Sequence, residues 1–167
     1  DNVTQIGRLS FAYSKNLNSI LFSESSKLPR ISYQAFAYSY IYDITIPANV
    51  STIAQGAFEG IRNLYSITFA QNSKLESISA FMFSGCTNLQ NITFMNGSSL
   101  KSIQAHGLEG MSKLQSINFG DAKLENIDNF AFRFCSNLCD IQIPDTVKSI
   151  GRYAFYEAKN LVEITVA

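Results

Sequence analysis

Apolar positions return along this chain with a fixed beat. The block Leu-x-x-Ile-x-(Phe/Ile) recurs with leading residues Leu17, Ile41, Leu64, Leu89, Leu114, Leu138 and Leu161, at intervals of 23 to 25 residues. Within each block apolar and polar residues alternate, as in Leu64-x-x-Ile67-x-Phe69, and the alternation predicts a short strand. A second apolar pair, three residues apart, follows at Val3/Ile6, Leu28/Ile31, Val50/Ile53, Leu75/Ile78, Leu100/Ile103, Leu124/Ile127 and Val147/Ile150. Five residues on stands an aromatic, usually after a small residue: Phe36, Phe58, Phe83, Phe132 and Phe155, with Phe11 and Leu108 as looser versions. Three residues beyond it comes a small or soft side chain: Ser14, Ser39, Ile61, Cys86, Met111, Cys135 or Ala158. The next leading residue closes the coil.

Self-similarity at this period predicts a solenoid in which each repeat is one coil, unable to bury its apolar face without neighbours. The expected fold is an α/β repeat solenoid, a right-handed coil with a parallel β-sheet on one face. Opposite it, the small-residue/Phe segment predicts a short helical or 3-10 turn. Residues 1–167 then form a single domain of about seven coils. Phe58, Phe83, Phe132 and Phe155 should form a buried column, with Leu108 a thinner layer within it. Asn16, Asn63, Asn88, Asn137 and Asn160 precede the closing Leu; an Asn tolerates a left-handed backbone and can bond nearby backbone groups, which suits the end of such a turn.

Length varies mainly at one place. The span from the strand's last apolar residue to the next apolar pair is six residues at Phe22–Leu28, Phe69–Leu75 and Phe94–Leu100, and five at Phe119–Leu124. It is four at Ile46–Val50 and Ile143–Val147, where Pro47 and Pro144 make short, stiff exits. The second coil alone is shortened elsewhere, by one residue between Phe36 and Ile41. Insertions therefore sit in a surface turn and leave the core register intact.

The stretch Ile141-Gln142-Ile143-Pro144…Val147-Lys148-Ser149-Ile150-Gly151-Arg152-Tyr153-Ala154-Phe155, with Phe-x-x-Cys-x-Asn as in Phe83–Asn88 and Phe132–Asn137, resembles the BspA-type (Treponema-type) leucine-rich repeat. The resemblance covers nearly the whole chain. It implies an extracellular or cell-surface protein of bacteria or protist parasites, concerned with adhesion to host extracellular matrix or to another cell surface. Leu108 in the Phe slot, and long exits in place of Pro, depart from that pattern.

Composition narrows the function classes. Lys+Arg and Asp+Glu are both 13, so no global field steers nucleic acid or anionic lipid to the chain. No apolar run approaches the length of a membrane span. The chain opens inside a partial coil and stops as a strand ends, so it reads as a piece of a longer array, with exposed coil ends open to end-to-end self-association. Four N-x-S/T sequons begin at Asn2, Asn49, Asn91 and Asn96, and a glycan on Asn91 would obstruct the outer sheet face.

Chemistry-bearing clusters are sparse. Cys86 and Cys135 share one inward slot two coils apart, about 10 Å at sheet spacing, too far for a disulfide and suited to packing as small hydrophobes. Cys139 follows a strand's leading Leu138 and is expected to be partly exposed, and no zinc-ligand spacing occurs. His106, the only histidine, fills a slot held elsewhere by Leu9, Gln34, Gly56, Phe81, Phe130 and Tyr153, which reads as a surface position. No nucleophile elbow, phosphate-cradling loop or metalloprotease motif is present, and neither cofactor nor metal is expected. Asp140 and Glu163 are equivalent positions on neighbouring coils, about 5 Å apart at sheet spacing; a solvated acidic patch or a weak cation site is the favoured reading, with a carbohydrate-active pair as the alternative.

The candidate site is the sheet's outer face. Residues on either side of the central Ile point away from the core and form two ladders. One runs Ser19, Asp43, Ser66, Asn91, Ser116, Asp140, Glu163; the other runs Leu21, Thr45, Thr68, Thr93, Asn118, Gln142, Thr165. Tyr42 and Tyr65, one position earlier on adjacent coils, add an aromatic rim. These residues suit a platform for a protein or glycan ligand in a non-enzymatic module. An intracellular scaffold using the same ladders is the alternative, separated by whether a signal peptide or membrane anchor flanks the repeats in the gene.

Overall fold

The computed structural model describes residues 2–166. It is a parallel-strand solenoid in which every coil after the first contributes one strand to each of two faces. The Leu-x-x-Ile-x-Phe blocks give β2 (Asp43–Ile46), β4 (Ser66–Phe69), β6 (Asn91–Phe94), β8 (Ser116–Asn118), β10 (Asp140–Ile143) and β12 (Glu163–Val166). The second apolar pairs give two-residue strands: β1 (Arg30–Ile31), β3 (Thr52–Ile53), β5 (Ser77–Ile78), β7 (Ser102–Ile103), β9 (Asn126–Ile127) and β11 (Ser149–Ile150). On the first face β2-β4-β6-β8 form one parallel sheet and β10-β12 another. On the second, β5-β7-β9-β11 pair in order and β1 pairs with β3.

Registers follow the sequence alignment: Ile44 opposes Ile67, Ile67 opposes Ile92, and Ile92 opposes Ile117. Each apolar position thus stacks on its equivalent one coil away, and these side chains are buried throughout the middle of the stack. Full burial of one such side chain stabilises by about 1.5–3 kcal/mol before ordering entropy is subtracted. The pairing is interrupted between β3 and β5, where the Ser79 hydroxyl donates to the Ile53 carbonyl at 2.9 Å.

Three expectations are corrected. First, the described residues contain no helix, so the fold is an all-β solenoid and not an α/β one, and the segment opposite the sheet is a run of overlapping turns. Around Phe36 the N–H groups of Ala35, Ala37 and Ser39 donate within the coil, each at 3.2 Å, to Ser32, Gln34 and Phe36. The intervening N–H groups of Phe36 and Tyr38 cross to Ala57 and Glu59 of the next coil, at 2.9 and 2.7 Å. A helix keeps all its interior N–H groups for itself. Here every second one is given to a neighbour, which ties the coils together.

Second, the left-handed positions are not the asparagines. They lie two residues before and two after the aromatic slot, where the third residue of a turn needs positive φ. About Phe36 they are Gln34 (φ 49°) and Tyr38 (φ 58°); about Phe83 they are Phe81 (φ 55°) and Gly85 (φ 77°). Asn88 meets the other half of the expectation, its side chain bonding a backbone group: it donates to the Arg62 carbonyl of the preceding coil at 2.6 Å. Third, the block Leu17–Phe22 forms no strand; its tie to the sheet is the Tyr42 N–H on the Asn18 carbonyl at 3.1 Å. Ser19 and Leu21 therefore do not extend the ladders.

The aromatic column is present, buried at Phe58, Phe83 and Phe132 but only half-buried at Phe155, which lies near the end of the stack. Ring centroids of Phe11–Phe36, Phe36–Phe58 and Phe58–Phe83 lie 5.4, 5.7 and 5.7 Å apart, and Phe132–Phe155 lie 5.0 Å apart beyond buried Leu108. Cys86 and Cys135 are buried free thiols, and Cys139 is exposed. Their sulfurs also have a use beyond packing: Cys86 Sγ donates to the Phe58 carbonyl (3.0 Å) and Cys135 Sγ to that of Leu108 (3.1 Å).

Candidate binding face

The strands β2, β4, β6, β8, β10 and β12 place the candidate residues by pleat alone. Along β2 the burial alternates exposed–buried, so Asp43 and Thr45 face out while Ile44 and Ile46 face in. In the registered sheet Asp43, Ser66, Asn91 and Ser116 form one row, and Thr45, Thr68, Thr93 and Asn118 the next. On the other pair of strands Asp140 opposes Glu163 and Gln142 opposes Thr165. Both ladders exist from coil to coil, though the sheet is interrupted between β8 and β10.

Short side chains in these rows bond along the sheet as well as to solvent. Ser116 Oγ donates to Asn91 Oδ1 at 3.3 Å, and Thr165 Oγ1 to Glu163 Oε1 at 3.3 Å. Side chains on β4 and β6 are half-covered by their neighbours, whereas those on β2, β8 and β10 are exposed. Tyr42 and Tyr65 stack at 5.5 Å with an interplanar angle of 3°, so the rim is a continuous aromatic step at the entry to the sheet. A shallow depression of about 390 Å³ lies over the interruption, lined by Asn118, Asp140, Gln142, Glu163 and Thr165. Asp140 is exposed, as is Glu163, and the pair lies on an open sheet with no wall to exclude water. Among the described residues no group of three or more His, Cys, Asp or Glu side chains is placed to hold a metal ion.

Sequence reasoning missed a second aromatic feature. The slot that seemed indifferent to residue type is a left-handed position whose side chains stack from coil to coil. Phe81–His106, His106–Phe130 and Phe130–Tyr153 have ring centroids 4.9, 4.9 and 5.5 Å apart. His106 is half-buried between two rings and bonds Glu109, whose other oxygen meets Arg133 at 3.3 Å. The Arg133 guanidinium lies 4.4 Å over Phe134, and that of Arg152 lies 4.8 Å over Tyr153. An aromatic at that slot in three of the last four coils was the available signal. On the other flank Tyr13 and Tyr38 stack at 4.9 Å.

In-register coils stacked on a parallel sheet of Leu-x-x-Ile-x-Phe strands define the class: a leucine-rich-repeat solenoid. The chain belongs to the BspA-type leucine-rich-repeat family, whose repeat model matches residues 1–95 and 71–167 in 6 copies. Two solved structures are similar. A leucine-rich repeat protein from Eubacterium ventriosum is 24% identical with a TM-score of 0.80, over 93% of this chain and 40% of that one. The Treponema pallidum leucine rich repeat protein is 26% identical with a TM-score of 0.64, over 74% of this chain and 57% of that one. The chain thus spans well under two thirds of either relative. No curated protein matches it. No helix among the described residues is long and apolar enough to cross a membrane.

Proposed function

We propose that this chain is a non-enzymatic binding module of an extracellular or cell-surface protein, capturing a protein ligand through the polar ladder face. The observation that carries the reading is the registered double row from Asp43 and Thr45 to Ser116 and Asn118. It presents donors and acceptors at the sheet spacing of about 4.8 Å, without Lys or Arg, on a surface that has no part in the core. Tyr42 and Tyr65 supply the large amphipathic contact area on which binding energy concentrates. Membership of the BspA-type family supports a surface role in adhesion. The intracellular-scaffold alternative uses the same face, and the reading frame flanking the repeats separates the two.

The Asp140–Glu163 register pair keeps a carbohydrate-active reading in view. Its exposure is the opposite of the dry, preorganised site on which electrostatic catalysis depends. Binding is therefore the favoured use of that end of the face.

The test is substitution of Thr68 and Asn118 by Lys, on alternate strands so that the two ammonium groups are not neighbours. Asn118 is exposed and Thr68 half-covered on the outer face, away from the core, where substitutions alter stability by about 0.5 kcal/mol, so the fold should persist. Capture on an array of extracellular-matrix proteins and glycans should be lost. Capture of the same ligand by the folded double variant at unaltered affinity would defeat the proposal.

A further inference from the structure

A cavity of about 410 Å³ opens on the turn side, where the segments around residues 13–15, 38–40 and 60–63 meet. Three tyrosines, Tyr13, Tyr38 and Tyr40, line it together with Lys15, Arg62 and Ser39. No carboxylate is among its lining residues, and neither cation belongs to an ion pair among the described residues.

Ser39 is the second observation. It is 2% exposed, yet its hydroxyl has no hydrogen-bond partner, the one buried side-chain oxygen or nitrogen in that condition among the described residues. A buried hydroxyl without a partner is costly. Elsewhere the same slot avoids that cost: Cys86 and Cys135 reach a carbonyl of the preceding coil, and Ile61, Met111 and Ala158 have no polar atom. Ser39 alone in the middle of the stack keeps an unspent donor; its hydroxyl is sealed from solvent, so the residue belongs to the wall of this cavity.

The tyrosines sit where the backbone would sooner have glycine. Tyr13 (φ 60°) and Tyr38 (φ 58°) occupy the left-handed slot that Gly60, Gly85 and Gly110 hold in the following coils. Strained positions held by bulky side chains gather at functional surfaces. Gly60 is itself needed by the arrangement, since a Cβ there would lie within contact of the Tyr38 ring, closer than any real contact allows. Tyr38 Oη donates to Glu59 Oε1 at 2.8 Å, and Gln34 Nε2 holds the other Glu59 oxygen at 2.7 Å. Tyr38 is thus a fixed wall, and the Glu59 carboxylate is engaged outside the cavity. Tyr40, half exposed, stacks on no other ring among the described residues and leaves a face free.

We infer that this cavity is a site for a carboxylate-bearing sugar unit of an acidic glycan, distinct from the polar ladders and going beyond the role proposed for them. The carboxylate meets Arg62, whose planar fork matches it, with Lys15 as the second cation. The C–H face of the pyranose lies on Tyr40, against the negative face of the ring. Asn63 bonds the sugar hydroxyls. A bare anion would leave the tyrosine unused, and an apolar peptide would leave two cations without partners.

Calorimetric titration of the folded chain with trigalacturonate tests this, with neutral maltotriose and sodium acetate as comparators. Saturable trigalacturonate binding is expected, at least tenfold tighter than maltotriose and not displaced by equimolar acetate. Arg62→Met and Tyr40→Ala, both at exposed positions, should each weaken it tenfold or more with an unchanged circular dichroism spectrum. The Thr68→Lys/Asn118→Lys variant should bind trigalacturonate as the parent does, so failure of the ladder reading and failure of this one are told apart. Absence of saturable binding, equal affinity for maltotriose, displacement by acetate, or an undiminished Arg62→Met variant would each overturn the inference.

Discussion

Cys86 and Cys135 fill an inward slot that other coils give to Ile61, Met111 and Ala158, and burial governs their chemistry. It pushes both thiols up to about 12, because a thiolate there would be cut off from water. At neutral pH the two should therefore be inert, and iodoacetamide at pH 8 should modify only exposed Cys139 until denaturant is added. The same shift couples stability to pH. An unfolded thiol ionises near its ordinary value of 9.0, while the folded one holds its proton to about 12. The stabilisation is complete below the unfolded value and is lost as pH rises through that window, by about 1.4 kcal/mol per thiol at pH 10. Denaturant titrations at pH 8 and pH 10 should show the loss, and a Cys86→Ala/Cys135→Ala variant should show less of it. That these cysteines were core was legible from the shared slot alone. Their hydrogen bonds were not, because they depend on which carbonyl the previous coil presents.

At the scale of the element, the strands were legible and the turns were not. Alternation identifies a strand directly, since side chains at i and i+2 share a face. The segment around each aromatic carries apolar residues three or four apart, and that spacing looks helical. The distinguishing signal was Gly60, Gly85 and Gly110 recurring two residues after the aromatic, a position of positive φ that no helix contains. Where Tyr, Phe or Glu stands there instead, the sequence alone hides it. The aromatic itself behaves as expected. Phe83 is buried, stacks 5.7 Å from Phe58 and faces Leu108, where the column is already thin. Phe83→Ala should cost about 3–5 kcal/mol, because the layer beyond it cannot collapse to fill the space. An unmoved chemical-denaturation midpoint would show that the column is not what holds the coils together.

For the whole molecule, repetition made the fold readable: one coil's spacing, written seven times, fixes strand, register and core without any long-range inference. The candidate face was readable for the same reason, since every strand turns the same two positions outward. The tyrosine-lined cavity was not, because it is assembled from three coils whose left-handed residues break the repeat. Repetition also sets the properties of the two ends, where an apolar layer meets no further coil in this chain. Leu21 is 94% exposed, Val162 is 89% and Ile164 is 41%, and a cavity of about 510 Å³ lined by Val3, Ile6, Phe11, Leu17 and Ile20 opens beside the first of them. Strand β12 has a paired neighbour in β10 on one side, and its other edge presents free backbone groups, a template for another chain. Stacking of one molecule's last coil on another's first is head-to-tail, so it does not close and grows with concentration. A polypeptide of these residues should therefore show an apparent mass rising with concentration in light scattering. Leu21→Ser with Val162→Ser should lower that slope while leaving the melting temperature nearly unchanged, since both side chains are already in water. A concentration-independent monomer for the parent chain would mean that the end coils do not offer compatible surfaces.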